Sequence, residues 1–273
     1  MTERAPVDRE DHSTNAILQA ALRLETAARS RTPCSPIRDL IDPDDVQAAY
    51  AVQQQLAAGR LASGAVVVGR KIGLTSEAVQ RQLGVDRPDF GVLFADMRYR
   101  HDESIPMNRL LQPKIEAEIA FVLAEDLADG PLDAERVRGA VAHAVPALEV
   151  VDSRIAGWDI SFADTVADNA SSGLFVLGDV AAPLSVFEPA EAEMTMTIAD
   201  RTVSAGSGAA CLGDPLNALQ WLAGTARDLG DPLRAGQVVL SGALGPMVVV
   251  EAGAVVTANI TGLGTVTARF GAA

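Results

Sequence analysis

From Ile115 to Leu123 every second residue is apolar: Ile115, Ala117, Ile119, Phe121 and Leu123. That alternation is the period of a β-strand with one buried face. The opposite face carries Lys114, Glu116 and Glu118 before it turns apolar at Ala120 and Val122. The stretch "GAVVVGRKIG" predicts a buried strand. Further short apolar runs predict strands over 147–152, 173–177, 193–200, 236–241, 246–250, 254–259 and 264–270. Within them, "MVVVEAGAVVTANI" reads as a hairpin turning at Ala252-Gly253. Helical spacing is confined to a few places. Ser13 caps a helix to about Ser30 with Ile17, Ala21, Leu24 and Ala28 on one stripe, and Asp42-Pro43 opens a second with Val46, Ala49, Tyr50, Gln53 and Leu56 along a face. Shorter helices are predicted from Ser76 to Gly84, over 133–143, and from Asp214-Pro215 to Gly230.

Strands outnumber helices, so the expected class is α+β with a β-rich roll, barrel or sandwich core. The expected organisation is a disordered tail over residues 1–12 and a helical segment to residue 60, then a β-rich domain over 61–273 that carries the chemistry. The N-terminal helices offer little chemistry of their own. With 48% hydrophobic and 21% charged residues the chain reads as globular, and with 4% aromatics its core is built mainly from Val, Leu, Ile and Ala.

The net charge of −14, from 36 acidic and 22 basic side chains, repels phosphate backbones and argues against a nucleic-acid partner. Cys34 and Cys211 lie far apart and form no disulfide framework, which predicts reduced thiols and a cytoplasmic location. No apolar run reaches the length of a membrane span, and the polar, acidic opening "MTERAPVDREDHS" holds no signal-peptide core. The sequons at Asn169 and Asn259 are then coincidental.

Glu116 and Glu118 share a strand face, and two like charges that close cost free energy unless water or a cation lies between them. In "PALEVVDSR", Glu149 stands inside another apolar strand, where a lone acid needs a partner. Three carboxylates without a nearby His or thiolate form an all-oxygen donor set suited to Mg²⁺ or Mn²⁺; the alternative is an edge strand facing solvent. Lys71, at the end of the valine strand, is either a surface lysine or a charged group facing that cluster. Asp89 in "RPDFG" is either a turn former or a general base. "TVADNASSG" gathers Asp168, Asn169, Ser171 and Ser172 as a cap or an anion-binding loop. "GAVVVGRK" departs from a phosphate loop, since Arg intervenes and no Ser or Thr follows the Lys. His12, His101 and His143 support no Ser–His–acid arrangement, and His143 falls on the helix predicted over 133–143. Trp158 and Trp221 are expected in the core.

Taken together, "VVGRKIGLTSEAVQRQLGVDRPDFGVLFADM", "LQPKIEAEIAFVL", "PALEVVDSR", "DTVADNASSG" and "LSGALGPM" resemble the 2-keto-4-pentenoate hydratases of bacterial meta-cleavage pathways, within the fumarylacetoacetate hydrolase superfamily. The resemblance spans roughly residue 35 to the C-terminus. It implies a mixed β-roll, a tendency to form homo-oligomers, and Mg²⁺ or Mn²⁺ held by Glu116, Glu118 and Glu149. It also implies acid–base roles for Lys71 and Asp89 and a substrate-lining role for Ser171. The implied reaction adds water to 2-hydroxypenta-2,4-dienoate, giving 4-hydroxy-2-oxopentanoate.

Three rivals remain. The similar 4-oxalocrotonate decarboxylases share the "GLTS", E-x-E and "VADNASS" features but carry an apolar residue where this chain has Asp89, which favours the hydratase. C–C hydrolysis of an acylpyruvate enlists a His–Glu pair, and no His adjoins the carboxylates here. A non-catalytic scaffolding subunit would have a damaged site, whereas the matched acidic and basic positions are intact. A C5-substituted dienoate is a further alternative substrate, for which Arg154 or Lys114 is the candidate cation facing a second carboxylate.

Overall fold

The computed structural model describes residues 7–76, 80 and 85–272. The helix expected from Ser76 to Gly84 falls, apart from Gln80, outside the described residues. The chain begins with α1 (Val7–Ser30) and α2 (Val46–Ala62). Helix α1 starts at Val7 rather than at Ser13, so the expected disordered tail is helical from residue 7. Helix α2 is capped by Asp45, whose carboxylate accepts the Ala48 N–H at 2.9 Å. Asp42 instead folds the preceding turn, accepting the Asp44 N–H at 3.0 Å, so Pro43 stands outside the helix.

Among the described residues thirteen strands follow in two sheets: β1 (Val67–Gly73), β2 (Asp89–Phe94), β3 (Arg98–Arg100), β4 (Ser104–Ile105), β5 (Lys114–Leu123), β6 (Val141–Val151), β7 (Ser172–Leu177), β8 (Glu193–Ile198), β9 (Arg201–Ser207), β10 (Val238–Ala243), β11 (Val248–Val249), β12 (Val255–Ile260) and β13 (Gly264–Phe270). The larger sheet runs β2-β1-β10-β5-β6-β7-β3, with β11 also on β5. The smaller runs β4-β13-β12-β8-β9. Parallel pairs (β1 with β10, β3 with β7, β4 with β13) mix with antiparallel ones, and β12 and β13 lie against β6. One apolar core, which includes Phe121, Leu148, Phe175, Val256 and Val266, spans both sheets. Three further α-helices lie among the described residues: α3 (Ala134–Gly139), α4 (Phe162–Ala167) and α5 (Pro215–Asp228). A second core joins α1 and α2 to α4 through Ala20, Leu24, Val52, Phe162 and Val166. This is the expected α+β class with a mixed β-rich core and an N-terminal helical segment.

Several local expectations are corrected. Helix α3 ends at Gly139 and β6 begins at Val141, so His143 lies on a strand, paired with Val122 of β5. The long β5 partner overrides the local helical pattern. "MVVVEAGAVVTANI" is not a hairpin. Val248 pairs with Ile115 in the larger sheet while β12 pairs with β8 and β13, so the turn at Gly253 carries the chain between sheets. Asp89 is the first residue of β2, not a turn residue. Strand β9 and helix α4 carry too little periodicity to be foreseen. Trp221 is half-buried against the core, meeting Phe90 edge-on at 6.5 Å, whereas Trp158 is half-buried outside both core clusters, its Nε1 donating to Gln112 O (3.0 Å). Among the described residues no helix is long and apolar enough to cross a membrane, and both cysteines are free.

Phe121, fully buried on the apolar face of β5, tests how far the fold rests on this strand. Phe121→Ala is expected to lower the unfolding free energy by about 3–5 kcal/mol in urea titration.

Candidate metal centre and active site

The β5–β6 register sets the site. Glu116 stands directly opposite Glu149, and Glu118 lies two residues along the same face of β5. Cross-strand neighbours hold their Cβ atoms roughly 5 Å apart. Here each glutamate offers an oxygen within 4.8 Å of the other two. All three are buried: Glu116 is 8% exposed, Glu149 1% and Glu118 0%.

Glu118 Oε2 accepts the Gly242 N–H at 2.8 Å. That donor is delivered by an irregularity in β10, whose register against β5 shifts between Leu240 and Ala243. Gly242 has φ +114°, and a Cβ there would collide with the Thr75 side chain; only glycine fits. The remaining oxygen of Glu118 and both oxygens of Glu149 accept no hydrogen bond. Burial raises all three carboxyls, and repulsion within the cluster adds to it at Glu116 and Glu118. Burial and Glu149 push Glu116 up to about 7, against the pull of Lys71. Burial, Glu149 and Glu116 raise Glu118 well above the usual range. Burial also raises Glu149, opposed chiefly by Lys71.

Unpartnered buried oxygens of Glu118 and Glu149, converging with the carboxyl of Glu116, are costly as they stand and make a donor set suited to a hard divalent cation. The residues fit such an ion.

Lys71, on β1, is buried against this cluster. Its Nζ donates to Ala170 O at 3.0 Å and lies 3.3 Å from Glu149 Oε1 without hydrogen-bond alignment. Burial alone would discharge it, but Glu149, Asp89, Glu116 and Glu118 more than offset that and hold its pKa above the ordinary lysine value. Asp89 pairs with Gly73 across β1 and β2. Gly73 is a clearance site: a Cβ there would strike Asp89 Oδ1 and stand 3.2 Å from Lys71 Nζ. Asp89 Oδ1 has no partner, while Oδ2 faces the Thr165 hydroxyl, which donates at 3.4 Å. Burial raises the Asp89 pKa, opposed by Lys71 and Thr165.

Ser171 joins the same chain of polar groups, its Oγ 3.2 Å from Thr165 Oγ1. It belongs to an unusual turn. Asn169, Ala170 and Ser171 have φ of +55°, +51° and +51° in succession, a left-handed conformation costing about 1–2 kcal/mol per non-glycine residue. The turn is held from several sides. The Asn169 carboxamide accepts the Val92 N–H (2.7 Å) and donates to Val92 O (2.9 Å). Ser171 O accepts the Asp152 N–H at 2.7 Å.

The structure therefore gathers Lys71, Asp89, Ser171 and the three glutamates into one buried network of polar groups. Arg154 is drawn elsewhere. It is spent on Asp168, on Asp152 O (2.6 Å) and on Ser172 O (2.7 Å), while burial raises Asp168 to about 6 despite that arginine. Lys114 lies with its Nζ 4.2 Å from the centre of the Trp158 ring. His101 Nδ1 accepts the Thr267 N–H at 3.0 Å, remote in sequence from the cluster. Thr165 was not foreseen. Its signal was the capping box Ser161-x-x-Asp164, which starts α4 and fixes the face that Thr165 presents.

Comparison with known proteins gives the family. The family model described as fumarylacetoacetate (FAA) hydrolase C-terminal matches residues 63–271. A 2-keto-4-pentenoate hydratase of Burkholderia vietnamiensis is 53% identical over 94% of this chain and 98% of its own length. The TodF product hydratase of Pseudomonas putida is 52% identical over 94% of this chain and 96% of its own. The solved 4-oxalocrotonate decarboxylase of Pseudomonas putida G7, complexed with magnesium and adipate, superposes with a TM-score of 0.90 at 31% identity, covering 94% of this chain and 98% of that one. On sequence, fold and the matched span together, the chain belongs to the 2-keto-4-pentenoate hydratase family of the fumarylacetoacetate hydrolase superfamily.

Proposed function

We propose that this chain adds water to 2-hydroxypenta-2,4-dienoate, giving 4-hydroxy-2-oxopentanoate, with Mg²⁺ or Mn²⁺ held by Glu116, Glu118 and Glu149. The proposal includes a cytoplasmic location, in keeping with the free thiols, and assembly into homo-oligomers. The observation that carries it is Asp89, a buried carboxylate with an unpartnered oxygen beside a cationic lysine. The curated hydratases also share more of this sequence than the decarboxylase does.

The net reaction moves the proton of the 2-hydroxyl to C5, then places hydroxyl at C4 and hydrogen at C3. Glu116, Glu118 and Glu149 would hold the cation, which when bound would supply positive charge at the 2-oxo acid end of the substrate. Asp89 takes the proton of the adding water; its raised pKa suits a group that must both accept and return a proton. Thr165 holds Asp89 Oδ2, leaving Oδ1 free for that exchange. Lys71, kept charged by its acidic neighbours, offsets the negative charge that develops on the substrate oxygen. Ser171 presents a hydroxyl to the substrate, oriented by Thr165. Burial of every one of these groups excludes bulk water and strengthens each interaction.

With EDTA-stripped protein, Mg²⁺ or Mn²⁺ at a hundredfold excess over Kd is expected to add about 2.7 kcal/mol of stability. That corresponds to a melting-temperature rise of roughly 5–10 °C by thermal shift; Glu118→Gln is expected to abolish it. Decay of the dienoate absorbance, with the product gaining one water by mass, tests the reaction itself. Loss of CO₂ from 4-oxalocrotonate with no hydration would replace the proposal by the decarboxylase. Asp89→Asn is expected to lower kcat by about 10²–10⁴-fold while leaving the metal-induced thermal shift unchanged. A full rate in that variant removes Asp89 as the base.

A further inference from the structure

Strand β2 is the edge of the larger sheet, bonded to β1 on one side only. Its outer edge is closed by two side-chain amides. Gln53 of α2 donates to Phe90 O at 2.9 Å, and the Asn169 carboxamide closes a two-way pair with the Val92 peptide, accepting its N–H and donating to its C=O. The second arrangement copies the hydrogen bonding that a neighbouring strand would make.

Asn169 begins the left-handed turn, and what the turn delivers is chemistry. The next residue offers its carbonyl to Lys71 Nζ at 3.0 Å, and the one after offers its hydroxyl to Thr165. Thr165 in turn holds Asp89, which heads the strand that Asn169 grips. The turn is pressed so close to β2 that a Cβ on Gly91 would strike Asn169 O. Of the side chains in the turn, only Asn169 fastens it to β2, while Asp152 fastens its far end.

We propose that Asn169 is a positioning residue of this active site: its carboxamide sets the separation between β2 and the 169–171 turn, and so aligns Lys71, Ser171 and Asp89 on the substrate. It touches none of the reacting atoms. This inference rests on the hydratase reading above.

The test uses Asn169→Gly and Asn169→Asp in the full chain loaded with Mn²⁺. Glycine keeps the freedom to adopt positive φ and removes the carboxamide, which separates the clamp from the strain. Aspartate keeps an acceptor for the Val92 N–H and loses the donor to Val92 O. The three glutamates stand on other strands, so the Mn²⁺-induced thermal shift is expected to persist in both variants. Expected for Asn169→Gly is a fall in kcat of about 10- to 100-fold with KM for the dienoate within about twofold, the pattern of misaligned reacting groups. Asn169→Asp is expected to fall between it and the parent.

A lowered melting temperature with parent-like kcat in either variant overturns the inference and leaves Asn169 as an edge cap. A rise in KM at unchanged kcat overturns it too, since that marks lost binding. Absence of hydration in the parent chain overturns the functional reading and this inference together.

Discussion

Three carboxylates in the interior of a sheet are the interaction on which the rest of this structure depends. Each costs several kcal/mol to bury as an ion, and they stand close enough to repel one another. Only positive charge offsets that. Part of it is built in, as Lys71 against Glu149, and the unpartnered oxygens leave room for the remainder to come from a divalent cation. The irregularity in β10 serves the same end, because it turns the Gly242 N–H onto Glu118 instead of leaving a fourth glutamate oxygen bare. Clearance at Gly73 and Gly242 lets backbone and charged side chains come closer than any Cβ would permit.

The N-terminal helices belong to this arrangement although they hold none of its charged groups. Gln53 is buried and bridges Phe90 O and Val166 O, at 2.9 and 2.8 Å, so one α2 side chain ties β2 to α4. Tyr50 stacks on Phe90, ring centres 4.9 Å apart. The residues flanking Asp89 and Thr165 are thus held by a helix that sequence reasoning had set aside as a preface. The strain of three successive left-handed residues persists for the same reason: their surroundings over-determine them.

Legibility in the sequence followed the range of the interaction. The face of β5 that carries Glu116 and Glu118 was readable because strand alternation is local, and Glu149 because a lone acid among Leu148, Val150 and Val151 is an anomaly anywhere. That Glu149 sits opposite Glu116 is a matter of register across a long connection, and no local pattern reports it. Asp89 was misplaced in a turn because Pro88 and Gly91 flank it; β1 then recruits the segment as a strand. His143 went to a helix because β6 owes its start to β5. The hairpin expected at Ala252-Gly253 failed for a related reason: β11 and β12 have compatible patterns, but each finds a better partner in a different sheet. Thr165 and Asn169 act through hydrogen bonds made across the fold, and ordinary polar residues in a sequence do not announce such bonds.

The direct opposition of Glu116 and Glu149 has a bearing on how the chain reaches its native state. A slip of one residue between β5 and β6 would turn one strand's side chains to the other face of the sheet. It would break up the donor set and leave glutamates among the apolar residues of the core, with no ion able to relieve them. A divalent cation held by the three glutamates would bind only the chain whose two central strands have met in the right alignment. Such an ion would then proofread assembly, withdrawing correctly registered molecules from a pool of near misses before any substrate is met.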